Sequence, residues 1–90
     1  MDFEWDDAKA ELNRQKHNVD FANATRVFLD PFRIEEYDDD EMDEERFNVI
    51  GIVDDLMLVV TCTMRDAMCR IISARRAERH EKRRYHEAQA

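Results

Sequence analysis

The stretch RFNVIGIVDDLMLVVTCTMRDAMCRIIS, residues 46–73, decides the fold. From Arg46 to Val53 apolar and polar residues alternate, with Phe47, Val49 and Val53 on one face and Arg46, Asn48, Ile50 and Ile52 on the other. A period of two is the signature of a strand with one face against a core. Asp54-Asp55 then reads as a tight hairpin turn, because Asp tolerates the left-handed backbone such turns require. Leu56 to Thr63 is an apolar run of strand length and the expected centre of the sheet. Arg65-Asp66-Ala67 turns the chain again, and Met68 to Ser73 reads as the last strand.

Working outward, Phe32 to Tyr37 also alternates and adds a strand before the hairpin. Upstream of it lie two helical patterns. Asp6 offers an N-cap oxygen for a helix running to about His17, on which the i, i+3, i+4 spacing assigns Trp5, Ala8 and Leu12 to the buried face. Asp20 caps a second, short helix whose stripe is Phe21, Ala24, Val27 and Phe28. Val19 and Ala24 there have the spacing of a hydrophobic staple. Asp30-Pro31 ends it, since the residue before proline is pushed out of the helical region. Phe3-Glu4-Trp5 reads as a short opening strand. Downstream, the chain turns helical from about Ala74, with Glu78 and Lys82 spaced to pair at i, i+4. The expected order is β-α-α-β-β-β-β-α. That is an α+β domain over residues 1–90, with two N-terminal helices packed on an antiparallel meander and a helix at the C-terminus.

Ninety residues suit one domain with a small core. No apolar run approaches the length of a membrane span. The acidic opening Met1-Asp2-Phe3-Glu4 lacks the pattern of a secretory signal, and a cytoplasmic protein is expected. Cys62 and Cys69 then serve as small buried hydrophobes rather than a disulfide framework. The net charge of −8 comes from one place. Residues 35–45 hold nine of the 22 acids and no base, leaving 13 acids against 14 bases elsewhere. The segment 65–90 is basic, with eight Arg and Lys against four acids. Such asymmetry fits a phosphate-binding face on one side and a different interface on the other. The acidic block itself is a solvated loop, a dock for a basic partner segment, or a guard over the active site until displaced.

Three blocks resemble one family. Phe3-Glu4-Trp5-Asp6, Lys9, Asn13, Lys16-His17-Asn18-Val19-Asp20-Phe21, Ala24 and Val27-Phe28 form the first. Glu45-Arg46-Phe47 and Ile50-Gly51 form the second, and Arg70-Ile71-Ile72-Ser73-Ala74-Arg75-Arg76-Ala77, Glu81 and Tyr85 the third. Together they are similar to the BrnT toxins, in order and spacing and over nearly the whole chain. The resemblance implies a RelE-like fold and a metal-independent ribonuclease. It also implies a BrnA-like antitoxin, ribbon-helix-helix-like in its DNA-binding part, in a 2:2 toxin–antitoxin complex.

Cleaving RNA without a metal needs a base for the 2′-hydroxyl, cations for the phosphorane and an acid for the departing 5′-oxygen. Arginine suits the second task because its planar fork matches phosphate and stays charged. Arg46, Arg65 and Arg75 are the expected cluster around one phosphate, with Lys16, Arg70 and Arg76 as further RNA contacts. Arg46 has the alternative of pairing with the acidic loop, and Arg70 that of a structural salt bridge. His17, inside the first block, fits general acid or base work or, equally, satisfaction of the last carbonyls of its helix. Tyr85 is either catalytic or a packing residue of the last helix. The three histidines lack metal-ligand spacing, so no metal and no cofactor are expected. No helix-turn-helix, finger or basic arm points to direct DNA binding. An alternative function is a catalytically inactive module of the same fold that only binds the antitoxin as a co-repressor.

Overall fold

The computed structural model describes residues 1–38 and 46–90. Positions 39–45, most of the acidic block and Glu45 of the second family-like block, lie outside the described residues, as does the side chain of Asp38. The elements are β1 (Asp2–Glu4), α1 (Asp7–His17), α2 (Phe21–Ala24), a 3₁₀ turn (Thr25–Leu29), β2 (Ile34–Asp38), β3 (Arg46–Val53), β4 (Leu56–Arg65), β5 (Met68–Arg76) and α3 (Arg79–Ala88). No helix among them is long and apolar enough to cross a membrane.

The strands form one sheet in the order β1-β5-β4-β3-β2. β2 to β5 are the expected antiparallel meander. β1 departs from it: it joins the far edge parallel to β5, pairing Asp2 with Met68 and Glu4 with Arg70. The sheet is therefore mixed. A parallel neighbour needs a long crossover, and here the helices, β2, β3 and β4 all intervene between β1 and β5.

The β3–β4 turn forms as its residues dictate. Asp54 and Asp55 both have positive φ, 49° and 69°, which is the type I′ geometry matched to strand twist. Arg26 on the 3₁₀ turn grips the Asp54 carboxylate through two hydrogen bonds of 2.7 and 3.0 Å. The N-terminal helices cover one face of the sheet. Phe21, Ala24 and Val27 are buried there against Phe47, Val49, Val53, Leu58, Val60, Cys62, Cys69, Ile71 and Ala74. Val19 joins the same cluster beside Ala24, as the staple requires. Gly51 lets the 3₁₀ turn sit directly on β3: a Cβ there would stand 3.1 Å from the Val27 carbonyl oxygen and 3.2 Å from its Cβ. The neighbouring Cys69 thiol and burial together push the Cys62 thiol up, and both cysteines are free and buried.

Three local expectations are corrected. Of the expected buried face of α1, Trp5 does pack half-buried against the core, but Leu12 is 65% exposed, Ala8 is exposed, and Asn13 is the buried residue. Asn13 replaces the strand missing beside β5. Its amide donates to the carbonyls of Ala74 (2.8 Å) and Val19 (3.1 Å) and accepts from the Ala74 N–H (3.2 Å). Satisfying three backbone groups outweighs the cost of burying an amide. Second, β5 runs on to Arg76 because β4 offers partners as far as Leu58. The helix starts only at Arg79, where Glu78 and Glu81 close a capping box. Third, β2 begins at Ile34 rather than Phe32, because the Asp30 carboxylate accepts the Phe32 N–H at 2.8 Å and holds 30–32 in a turn.

Candidate active site

Among the described residues, α3 covers one end of the second face of the sheet. α3 lies over Ile34, Ile50, Met57 and Val59 and forms with Ala77 and Tyr85 a second buried cluster. Polar contacts anchor it. Arg84 grips Glu36 at 2.8 and 2.9 Å, and Arg75 grips Glu81 at 2.7 and 2.6 Å. The Tyr85 hydroxyl donates to Asp30 Oδ2 at 2.7 Å. That carboxylate also takes the N–H of Ile52. Burial opposes ionisation of Asp30, but these hydrogen bonds outweigh it and hold the carboxyl below its usual range. Burial, then the Asp30 contact, pushes the Tyr85 hydroxyl up to about 12.

Beyond Glu36 the same face carries polar side chains in cross-strand rows. Residues in register on adjacent strands share a face and stand about 5 Å apart. One row runs Arg46, Thr63, Arg70, Glu4 across β3, β4, β5 and β1. The next runs Glu36, Asn48, Thr61, Ser73 across β2 to β5, and the Thr61 hydroxyl donates to Asn48 Oδ1 at 2.7 Å. Arg65 is two residues beyond Thr63 on β4 and so projects on the same side, about 7 Å further along. Arg70 pairs with Glu4 at 3.5 Å, and Glu4 Oε1 is buried with no hydrogen bond. The face thus gathers three guanidinium groups, a carboxylate and several hydroxyls and amides beside one another at the end away from α3.

The sheet brings Arg46, Arg65 and Arg70 together. Arg75 stands apart, opposite Val59, four residues or about 13 Å along β4 from Thr63. Its fork is occupied by Glu81, whose carboxyl Arg75 pulls down to about 2. Tyr85 lies still further under α3. Arg76 is exposed at the opposite end, in a cleft with Asn18, Asp20, Asp54 and Leu56. Lys16 and His17 line a groove between α1 and β5 with Lys9, Leu12, Asn13, Ile72 and Ser73. Ser73 also belongs to the second row, so groove and polar face meet there. Thr63, Glu4, Asn48 and Thr61 were not singled out from sequence. The polar positions of strands reading as alternating are the signal that marks them.

The one cluster of metal-ligating side chains among the described residues is Glu78, His80 and Glu81. It is the capping box of α3. Glu81 already holds Arg75 and the Glu78 N–H, so its oxygens serve the fold.

A family model described as the ribonuclease toxin BrnT of type II toxin–antitoxin systems matches residues 5–81. A comparison with curated proteins finds no match.

Proposed function

The chain belongs to the BrnT family of ribonuclease toxins of type II toxin–antitoxin systems, and from that premise we propose that it cuts RNA, without a metal, at the end of its sheet away from α3. The observation that carries the reading is the row Arg46–Thr63–Arg70–Glu4 with Arg65 beside it. Three guanidinium groups on one face supply the positive charge a phosphorane needs. Glu4, the carboxylate in the row, takes the 2′-hydroxyl proton as the 2′-oxygen bonds to phosphorus. The bond to the 5′-oxygen breaks, and His17, in the adjoining groove, gives that oxygen its proton. The products are a 2′,3′-cyclic phosphate and a free 5′-hydroxyl. Arg75 and Tyr85 act as anchors of α3, and Arg76 lies outside this site.

A ribonuclease toxin of a type II system has an antitoxin partner and RNA as its target. The finer reading is a BrnA-like antitoxin that carries the operator-binding domain and joins two toxins in a 2:2 complex in the cytoplasm. The test is purified protein with single-stranded RNA, with and without EDTA, and analysis of the new ends. Cyclic phosphate ends formed equally in EDTA support the proposal. Cleavage abolished by EDTA contradicts the metal-free mechanism. RNA left intact by protein that still binds its antitoxin reduces the chain to a binding module.

A further inference from the structure

We propose that the groove between α1 and β5 is a second RNA subsite, taking the base and phosphate of a nucleotide next to the one being cut. The inference deepens the nuclease reading and rests on it.

The groove exists because of an irregularity in β5. The register with β4 shifts between Thr61 and Cys62, so that Cys62 faces Ile71 while Thr61 faces Ser73. Ile71 and Ala74 both face the core, and the extra residue leaves Ile72 and Ser73 together outside it. Opposite them α1 presents Lys9, Leu12, Lys16 and His17, held at this distance from β5 by the Asn13 bridge to Ala74. The groove is shallow and open to solvent, with a volume of about 230 Å³. That is below the ~300–1,000 Å³ of pockets for drug-sized ligands and suits one base rather than a larger molecule.

The groove is basic within a chain that is acidic overall. The lining holds two lysines and a histidine and no acid. Among the described residues Arg14, Arg26, Arg33, Arg70, Arg75 and Arg84 are each engaged by a carboxylate. Lys9 and Lys16 form no ion pair among the described residues. Two ammonium groups at the rim of a concavity whose lining holds no acid attract an anion. The apolar part of the lining is Leu12, exposed on a helix where it packs against nothing of the core, and Ile72. They offer a surface for the flat face of a base. Continuity decides which anion: the groove meets the polar face at Ser73, so a strand whose phosphate lies on the arginine row runs directly into it.

The test uses the full chain and a single-stranded RNA of ten nucleotides with 2′-O-methyl sugars, which binds but cannot be cut. Affinity is read by fluorescence anisotropy from 50 to 200 mM salt. Lys9→Ala/Lys16→Ala should weaken binding roughly five- to ten-fold and reduce the slope of log affinity against log salt by about 1.4, two phosphate contacts' worth for a single strand. Leu12→Ala should weaken binding roughly three-fold with the slope unchanged, since it removes apolar contact and no charge. All three residues are exposed, and unchanged thermal unfolding confirms that the variants fold. Affinity and slope equal to the parent's overturn the subsite. So does a loss confined to antitoxin binding, which makes the groove a protein interface, or a parent protein that does not bind the RNA. Cleavage of unmodified RNA is measured separately. A protein that binds through the groove but never cuts refutes the nuclease reading and leaves the subsite standing. One that cuts with the groove variants binding normally does the reverse.

Discussion

Replacing Asn13 with Ala removes the bracket that holds α1 to the sheet. Three hydrogen bonds disappear, to Val19 O, to Ala74 O and from Ala74 N. Each is worth about 1 kcal/mol net, and a buried backbone group left without a partner costs about 1–3 kcal/mol. The Ala74 N–H and C=O face α1 where no strand continues β1, so water reaches them only if the helix moves. The expected loss is about 3–4 kcal/mol. For a domain of this size that lowers Tm by about 12–32 °C, at roughly 4–8 °C per kcal/mol. The assay is urea and thermal unfolding followed by far-ultraviolet circular dichroism, with Leu12→Ala as the control. Leu12 is 65% exposed, and its removal should shift stability by no more than about 0.5 kcal/mol. Asn13→Asp should be nearly as damaging as Ala, because a carboxylate can accept from Ala74 N but cannot donate to either carbonyl. If Asn13→Ala melts within about 5 °C of the parent, or Leu12→Ala loses more than Asn13→Ala, the edge-bracket argument is wrong.

Three further outcomes are expected. Tyr85→Phe removes the donor to Asp30 and should cost roughly 1.5–3 kcal/mol, the value of a hydrogen bond to a charged group, while RNA cleavage per folded molecule stays at the parent's level; a large fall in kcat with stability intact would restore a catalytic Tyr85. Glu81 is held down to about 2 by Arg75, below the ordinary carboxylate value of the unfolded chain. Its contribution, roughly 3 kcal/mol at most, is therefore complete above about pH 5 and is lost as pH falls towards 2. Glu81→Gln should flatten that acid limb of the stability–pH curve, and an unchanged limb would count against the pair. Gly51→Ala forces a methyl to within about 3 Å of Val27 and should lower stability by roughly 1–3 kcal/mol, read as a shift in the urea midpoint; an unchanged midpoint would show that the 3₁₀ turn yields freely.

The alternating stretch 46–73 carried most of the fold. β3 runs from Arg46 to Val53 as its period requires, and the hairpin at Asp54-Asp55 forms where two small acids meet. The caps at Asp6 and Asp20 are equally local and equally readable. Periodicity was misleading on α1, because the helix packs on a strand edge that needs hydrogen bonds as well as on apolar surface. A wheel of hydrophobic residues has no position for a buried amide, so Leu12 was assigned inward and Asn13 outward. The parallel docking of β1 depends on a contact some 65 residues away in sequence, and no local pattern encodes it. At the site, Arg46 and Arg65 follow from counting along one hairpin. Arg70 joins them, and Arg75 does not, because of the sheet register and of Glu81. That partner became available only once the helix started at Arg79 rather than Ala74. Glu4 remained invisible as a site residue for the same reason as β1.

The most direct test of the arginine row is a substitution scan read by the rate of cleavage of one RNA under single-turnover conditions. Arg46→Ala, Arg65→Ala and Arg70→Ala should each slow cleavage by about a hundred-fold or more, the cost of removing one charge-stabilising donor, whereas Arg76→Ala should cut at the parent's rate and Arg75→Ala should lose stability rather than rate. Full activity in the first three, or a dead but stably folded Arg75→Ala, would move the scissile phosphate away from this end of the sheet.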